Sequence, residues 1–157
     1  MELTPDVKAA VLLQMLQFHI DEVHRRQDAE KTWFEWISAL LLATFGVVIA
    51  LAGNTTVRQP LIIKILATVM ISVPTFIAGY RILKIAQSTQ GNARMVERIQ
   101  EILHLFDPGY YDVEALQPEL WRGRLAQNML KRKTPKYYVG IISLMALCVI
   151  FAVWLVL

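Results

Sequence analysis

The chain has 157 residues, 55% of them hydrophobic, with a mean hydropathy of +0.43 and a formal net charge of +3 at pH 7. Ordinary soluble domains are roughly 45–50% apolar, so this composition excludes an ordinary water-soluble globule and makes the bilayer part of the solvent. The length suits one domain, and the lone Cys148 has no second cysteine to bond, which excludes an internal disulfide framework and leaves it as a packing residue.

Residues 1–32 predict an N-terminal amphipathic cytoplasmic helix. Thr4-Pro5-Asp6 is a helix start, with Thr4 as cap, Pro5 at the first helical position and Asp6 complementing the helix dipole. Val7, Val11, Leu12, Met15, Leu16, His19 and Val23 recur at helical spacing. Asp21, Glu22, Arg25, Arg26, Asp28, Glu30 and Lys31 read as a solvated approach to the membrane. No Pro or Gly interrupts Asp6 to Phe45, so one helix can continue into the first span. No basic leader with a compact apolar core precedes it, and the first span is expected to stay in the mature protein. His19, Asp21, Glu22 and His24 suggest a metal cluster at first sight. Two histidines five residues apart, however, point about 140° apart on a helix, whereas helical zinc pairs sit at i and i+4, so no metal site is expected.

Residues 33–80 predict a transmembrane hairpin. Apolar runs 36–52 and 61–80 each approach the about 20 residues needed to cross a hydrocarbon core, with Trp33, Trp36 and Tyr80 as interfacial anchors. Gly53-Asn54-Thr55-Thr56, followed by Gln59-Pro60, reads as the connecting turn; Asn54-Thr55-Thr56 also fits a glycosylation sequon but is read as turn chemistry. On the first span Ala39, Ala43, Gly46, Ala50 and Gly53 form one small-residue stripe, and on the second Thr68, Ser72, Thr75 and Gly79 form another. Lipid supplies no hydrophobic drive between helices, so such stripes are where helices associate. Two uses stand open: the stripes face each other within the hairpin, or the hydroxyls line a polar path made by several copies. Pro74 cannot donate to the carbonyl of Met70, so a kink or a patch by the hydroxyl of Ser72 or Thr75 is expected. Lys64 can snorkel outward. Glu35 comes level with Arg81 in an antiparallel hairpin and is expected to pair with it, the alternative being a proton or ion site.

Residues 81–136 predict a basic helical cytoplasmic segment. A second amphipathic helix is read over 92–106, capped by Asn92, with Met95, Ile99, Ile102, Leu103 and Phe106 as its apolar stripe and Asp107-Pro108-Gly109 as its end. A short helix or helical pair is read over Val113–Lys133. Residues 1–32 carry six acidic and four basic groups, residues 81–136 ten basic and six acidic, so the two parts attract, and the N-terminal helix is expected to pack on the 92–106 helix. Arg122, Arg124, Lys131, Arg132, Lys133 and Lys136 cluster beside the last span, as a topology determinant or a site for anionic lipid headgroups.

Residues 137–157 predict a C-terminal transmembrane helix opened by Tyr137 and Tyr138. Lys and Arg concentrate before the first span and in 81–136, which by the positive-inside bias puts the N-terminus in the cytoplasm and Leu157 outside.

The expected fold class is all-α, a polytopic helical membrane protein with three transmembrane helices and a helical cytoplasmic region, in a cell inner membrane. No phosphate loop, nucleophile elbow, CxxC or intramembrane carboxylate pair is present, so neither enzyme chemistry nor a cofactor nor nucleic-acid binding is expected. The run Arg25-Arg26 to Lys31-Thr32-Trp33, the short hairpin, and Tyr80-Arg81 leading to the Met95–Phe106 helix resemble in architecture, over about residues 20–106, the SLATT-type bacterial membrane effectors found with nucleotide-signalled antiviral defence systems. The resemblance implies oligomerisation and membrane permeabilisation. The expected partners are the lipid bilayer and either further copies of the chain, as a homo-oligomeric channel or membrane-perturbing assembly, or unlike subunits of a larger membrane complex. A lipid or small-molecule carrier is disfavoured, because no inverted repeat or discontinuous helix is evident.

Overall fold

A computed structural model of the chain describes residues 5–52, 61–107 and 124–156. Among these residues there are four helices and no strand: α1 (Pro5–Ala52), α2 (Leu61–Ile102), α3 (Arg124–Lys131) and α4 (Thr134–Val156). Helices α1, α2 and α4 are each long and apolar enough to cross a membrane. The protein is an all-α, multi-pass membrane protein.

The chain forms two compact units, one of Ala29–Lys84 with Lys133–Leu157 and one of Met1–Asp28 with Ile85–Arg132. The first is a three-helix membrane bundle. Its core takes one stripe from each helix: Ile37, Leu41 and Val48 of α1, Ile71, Ala78 and Ile82 of α2, and Ile142, Ala146, Val149 and Val153 of α4. Spacings of four, three and seven keep each set on one face. The third span is thus an integral wall of the bundle, not an appendage to a hairpin. Outside the core the bundle presents large apolar side chains, such as Ile62 at 77% exposure and Phe76 at 76%. Acyl chains solvate such a surface without penalty. At one end the aromatic residues expected as anchors gather: Phe34 stacks on Tyr138 with centroids 4.3 Å apart, Trp33 meets Trp36 edge-on at 6.0 Å, and Trp36, Tyr80 and Tyr137 are exposed. Helix α4 opens with Tyr137 N donating to Lys133 O at 3.0 Å, and Pro135 in its first turn wastes no donor.

Glu30 departs from its expected place in the solvated approach, for its side chain is fully buried. It lies seven residues before Ile37, two turns away on the core-facing side, so the geometry of the stripe carries it inward whatever its polarity. Helix α2 passes through Pro74 without a break. Thr75 Oγ1 donates to Ile71 O at 2.8 Å, the ordinary bond of a threonine to its preceding turn, and not to Met70 O as a patch would require. The expected turn over 53–60 lies outside the described residues.

In the second, polar unit, α1 and α2 pack together through their apolar stripes. Val23 of α1 and Ala93, Val96, Ile99, Leu103 and Phe106 of the α2 side are buried. The N-terminal stripe is only partly used: Leu12, Leu16 and His19 are half-buried, whereas Val7, Val11 and Met15 stay exposed. No separate helix begins at Asn92, because α2 runs straight through Gly91 and Asn92. It also ends earlier than the Asp107-Pro108-Gly109 signal. His104 takes a positive φ of 54°, its N–H bonds Glu101 O at 3.0 Å and the N–H of Leu105 bonds Gln100 O at 3.2 Å, the paired bonds of a Schellman end. His104 Nδ1 lies 2.6 Å from Asp107 Oδ2 and braces the left-handed residue. Of the predicted Val113–Lys133 helix, the described part is α3, and 113–123 lie outside the described residues.

An arginine ties the polar unit together. Glu22 accepts from Arg26 Nε at 2.7 Å and pairs with Arg25 at 2.7 Å, and Arg26 in turn donates to Ser88 Oγ of α2. The hydrogen bonds from Arg25 and Arg26 hold the Glu22 carboxyl below its ordinary 4.5, against a smaller opposing effect of desolvation. A lowered folded-state pKa stabilises the fold above the unfolded value, and that contribution is lost as pH falls through the lowered one. The protection of α1 and α2 amides against hydrogen exchange, relative to the intrinsic rate at each pH, should therefore fall below about pH 4.5 in the wild type. Glu22→Gln should exchange faster at pH 7, the difference from wild type vanishing in acid.

Candidate functional site

The two stripes singled out in the sequence have different fates in the membrane bundle. On α1, Ala39, Ala43, Gly46 and Ala50 are exposed, and a Cβ placed on Gly46 would meet nothing within 4 Å. They do not form the inner seam of a hairpin. Each of Ala39, Ala43 and Ala50 follows a core residue by two positions, Ile37, Leu41 and Val48, which on a helix is about 200° away. The larger side chains took the core and the small ones face outward.

On α2, Gly79 is buried and Thr68 and Thr75 are half-buried, but the helix they meet is α4. A Cβ on Gly79 would lie 3.6 Å from Val139, an ordinary contact, so the glycine marks a close approach of the two helices. At the other end of the bundle Trp154 Nε1 donates to Thr68 Oγ1 at 3.1 Å, and Thr68 Oγ1 donates to Lys64 O at 2.8 Å. Lys64 Nζ reaches Trp154 O at 3.5 Å and stands 5.9 Å from the indole centroid. This clasp joins the start of α2 to the end of α4. Trp154 was not among the residues selected from sequence, although a lone tryptophan near the end of an apolar run is an interfacial signal.

Between α2 and α4 lies a groove of about 550 Å³, walled by Ser72, Phe76, Gly79 and Leu83 on one side and Val139, Ser143 and Ile150 on the other. A smaller groove of about 380 Å³ lies between α1 and α2, with Thr44, Met70 and Pro74 on its wall. Thr44 Oγ1 is spent on Leu40 O at 2.8 Å, as Thr75 Oγ1 is on Ile71 O, while Ser72 is exposed. Neither groove gathers charged groups of the kind that move protons or activate water.

Glu35 does not pair with Arg81. Its carboxylate lies 3.6 Å from Lys31 Nζ, one turn back on its own helix, and both side chains are more than half exposed. A partner at i−4 is reached without ordering a second helix, so the local pair forms. Arg81 is exposed. Of the basic cluster, Arg124 and Lys131 are exposed on α3 and Arg132 is half-buried in the polar unit, Lys133 and Lys136 are exposed in the membrane bundle, and Arg122 lies outside the described residues. Cys148 is exposed on α4, outside the core of the bundle. Among the described residues no group of three or more His, Cys, Asp or Glu stands close enough to hold a metal ion.

Comparison of the chain with protein-family models, with curated proteins and with solved structures found no match.

Proposed function

We propose that this multi-pass membrane protein self-associates in the bilayer through the outward face of α1, forming a homo-oligomeric channel or membrane-perturbing assembly. The observation that carries this reading is the open small-residue face of Ala39, Ala43, Gly46 and Ala50. Small residues spaced four, three and four apart let two backbones approach, and the fold does not spend them on its own core. The expected setting is a bacterial inner membrane with the N-terminus cytoplasmic, on the distribution of Lys and Arg. The architectural resemblance to SLATT-type effectors points the same way, toward permeabilisation in an antiviral response.

The test is Gly46→Leu. Because the position faces open space, the bundle should keep its thermal stability to within about 0.5 kcal/mol. Association in detergent, read by mass photometry, should weaken about tenfold or more, and any ion conductance of the wild type in planar bilayers should fall with it. An unchanged oligomer, or a wild-type chain that is monomeric at micromolar concentration, overturns the reading.

A second reading is an accessory subunit of a larger membrane complex. It is favoured by the apolar residues that the polar unit leaves uncovered on α1, with Phe18 at 63% and Leu13 at 55% exposure. Purification of one copy bound to unlike subunits would establish it at the expense of the first.

A further inference from the structure

The groove between α2 and α4 ends among cations. On α2, Phe76 and Tyr80 line it, and Lys84 follows one turn beyond Tyr80 on the same face, its Nζ 5.9 Å from the centroid of the Tyr80 ring. On α4, Val139 and Ser143 line it, and Lys136 precedes Val139 by three residues, again on the same face and exposed. Lys84 thus stands beside a wall residue at one end of the groove, and helical spacing puts Lys136 on the groove side of α4 at the same end; the walls are aliphatic and aromatic carbon with the hydroxyls of Ser72, Thr75 and Ser143. This is also the end of the bundle that carries the aromatic belt of Trp36, Tyr80 and Tyr137, the level at which headgroups sit.

We infer that this groove is a site for an anionic glycerophospholipid. One acyl chain lies along Phe76, Gly79, Leu83 and Ala146, and the headgroup phosphate sits between Lys84 and Lys136. The sign of the headgroup follows from charge complementarity, since no carboxylate lines this groove. The groove runs along eleven-residue rises of both helices, Ser72 to Leu83 and Val139 to Ile150, about 16 Å, and the acyl chain lies along it with the headgroup at the lysine end. A flexible methylene chain fits, and the volume lies within the about 300–1,000 Å³ of ordinary ligand sites. The close approach of α2 to α4 at Gly79 gives the groove its depth. The α1 face does not take part, so the site stands or falls independently of self-association.

The experiment is native mass spectrometry of the full chain in detergent, with phosphatidylglycerol or phosphatidylcholine of identical chains added. Phosphatidylglycerol should be retained at least about fivefold better. Lys84→Gln with Lys136→Gln should abolish that preference, while Arg124→Gln with Lys131→Gln, an equal loss of charge elsewhere, should leave it. Ser72→Phe, on an exposed position at the groove wall, should lower retention of both lipids, with Ser143→Leu as a second groove-filling variant should the first fail to fold. Millimolar inorganic phosphate should not displace the lipid. Equal retention of the two lipids, a preference that survives the double lysine change, or displacement by free phosphate overturns the site. So does cross-linking that places a helix of a second copy in the groove.

Discussion

Ile142→Ala should lower the unfolding free energy of the membrane bundle by about 2 kcal/mol, while Leu144→Ala, two residues along the same helix, should change it by less than about 0.5. Ile142 is fully buried and Leu144 is 64% exposed. In water both truncations would also lose transfer free energy, but in lipid the outward residue exchanges one apolar neighbour for another. What remains at Ile142 is the loss of dispersion contacts across the cavity left behind, which places the expected cost at the low end of the range known for buried Ile or Leu to Ala changes. Reversible unfolding of the purified chain in mixed micelles, titrated with a denaturing detergent, measures both. Equal effects would mean that the α4 stripe does not face the bundle.

The second large effect is steric. Ala78→Leu should destabilise the bundle by about 3 kcal/mol or prevent its assembly, whereas Ala43→Leu should leave it folded. Ala78 is fully buried in the core beside Ile82, and three added carbons there have to displace α1 or α4. Ala43 is exposed on α1, and the same carbons extend outward. Thermal unfolding followed by tryptophan emission reads the bundle, since Trp33 packs against its core. A chain in which Ala43→Leu unfolds and Ala78→Leu does not would reverse the assignment of inner and outer faces.

These two alanines show why a stripe of small residues can be seen in a sequence without its partner being known. Ala39, Ala43, Gly46 and Ala50 stand out because they repeat, and the repeat is real, but periodicity fixes only which residues share a face. It does not say whether that face turns to another helix of the chain, to lipid or to another copy. In a soluble protein the apolar face would turn inward and decide the matter. In a membrane both faces are apolar, so hydropathy loses the inward signal and side-chain shape decides instead. Ala78 has only Thr75 as a small neighbour at helical spacing, too little to single it out, and it is nevertheless the small residue the core needs.

Charged residues near the boundary failed in a related way. Glu35 had a basic residue at its level across the hairpin, but Lys31 at i−4 is nearer and already aligned. Glu30 looked like one of a run of solvated groups, yet two helical turns from Ile37 it points to the core. Asp107-Pro108-Gly109 is the strongest turn signal near the end of α2, yet the helix ends at Ile102 because His104 accepts a left-handed conformation braced by Asp107. Short polar side chains at such a position are a weak signal beside proline and glycine.

By itself the sequence determined what depends on solvent and on local spacing. The apolar content made it a membrane chain, the run lengths made three spanning helices, the aromatic residues marked one boundary, and the helical apolar patterns of residues 5–28 and of 92–106 marked the two faces that meet in the polar unit. Only the tertiary structure decided which face of each span is inner, that α4 rather than α1 lies against the Gly79 stripe, that Trp154 closes on Thr68 and Lys64, and that a groove of about 550 Å³ lies between α2 and α4. The physical reason is the same throughout. Lipid rewards no face of an apolar helix over another, so the choice rests on how the side chains of three helices interlock, and that is a property of the set and not of any one segment.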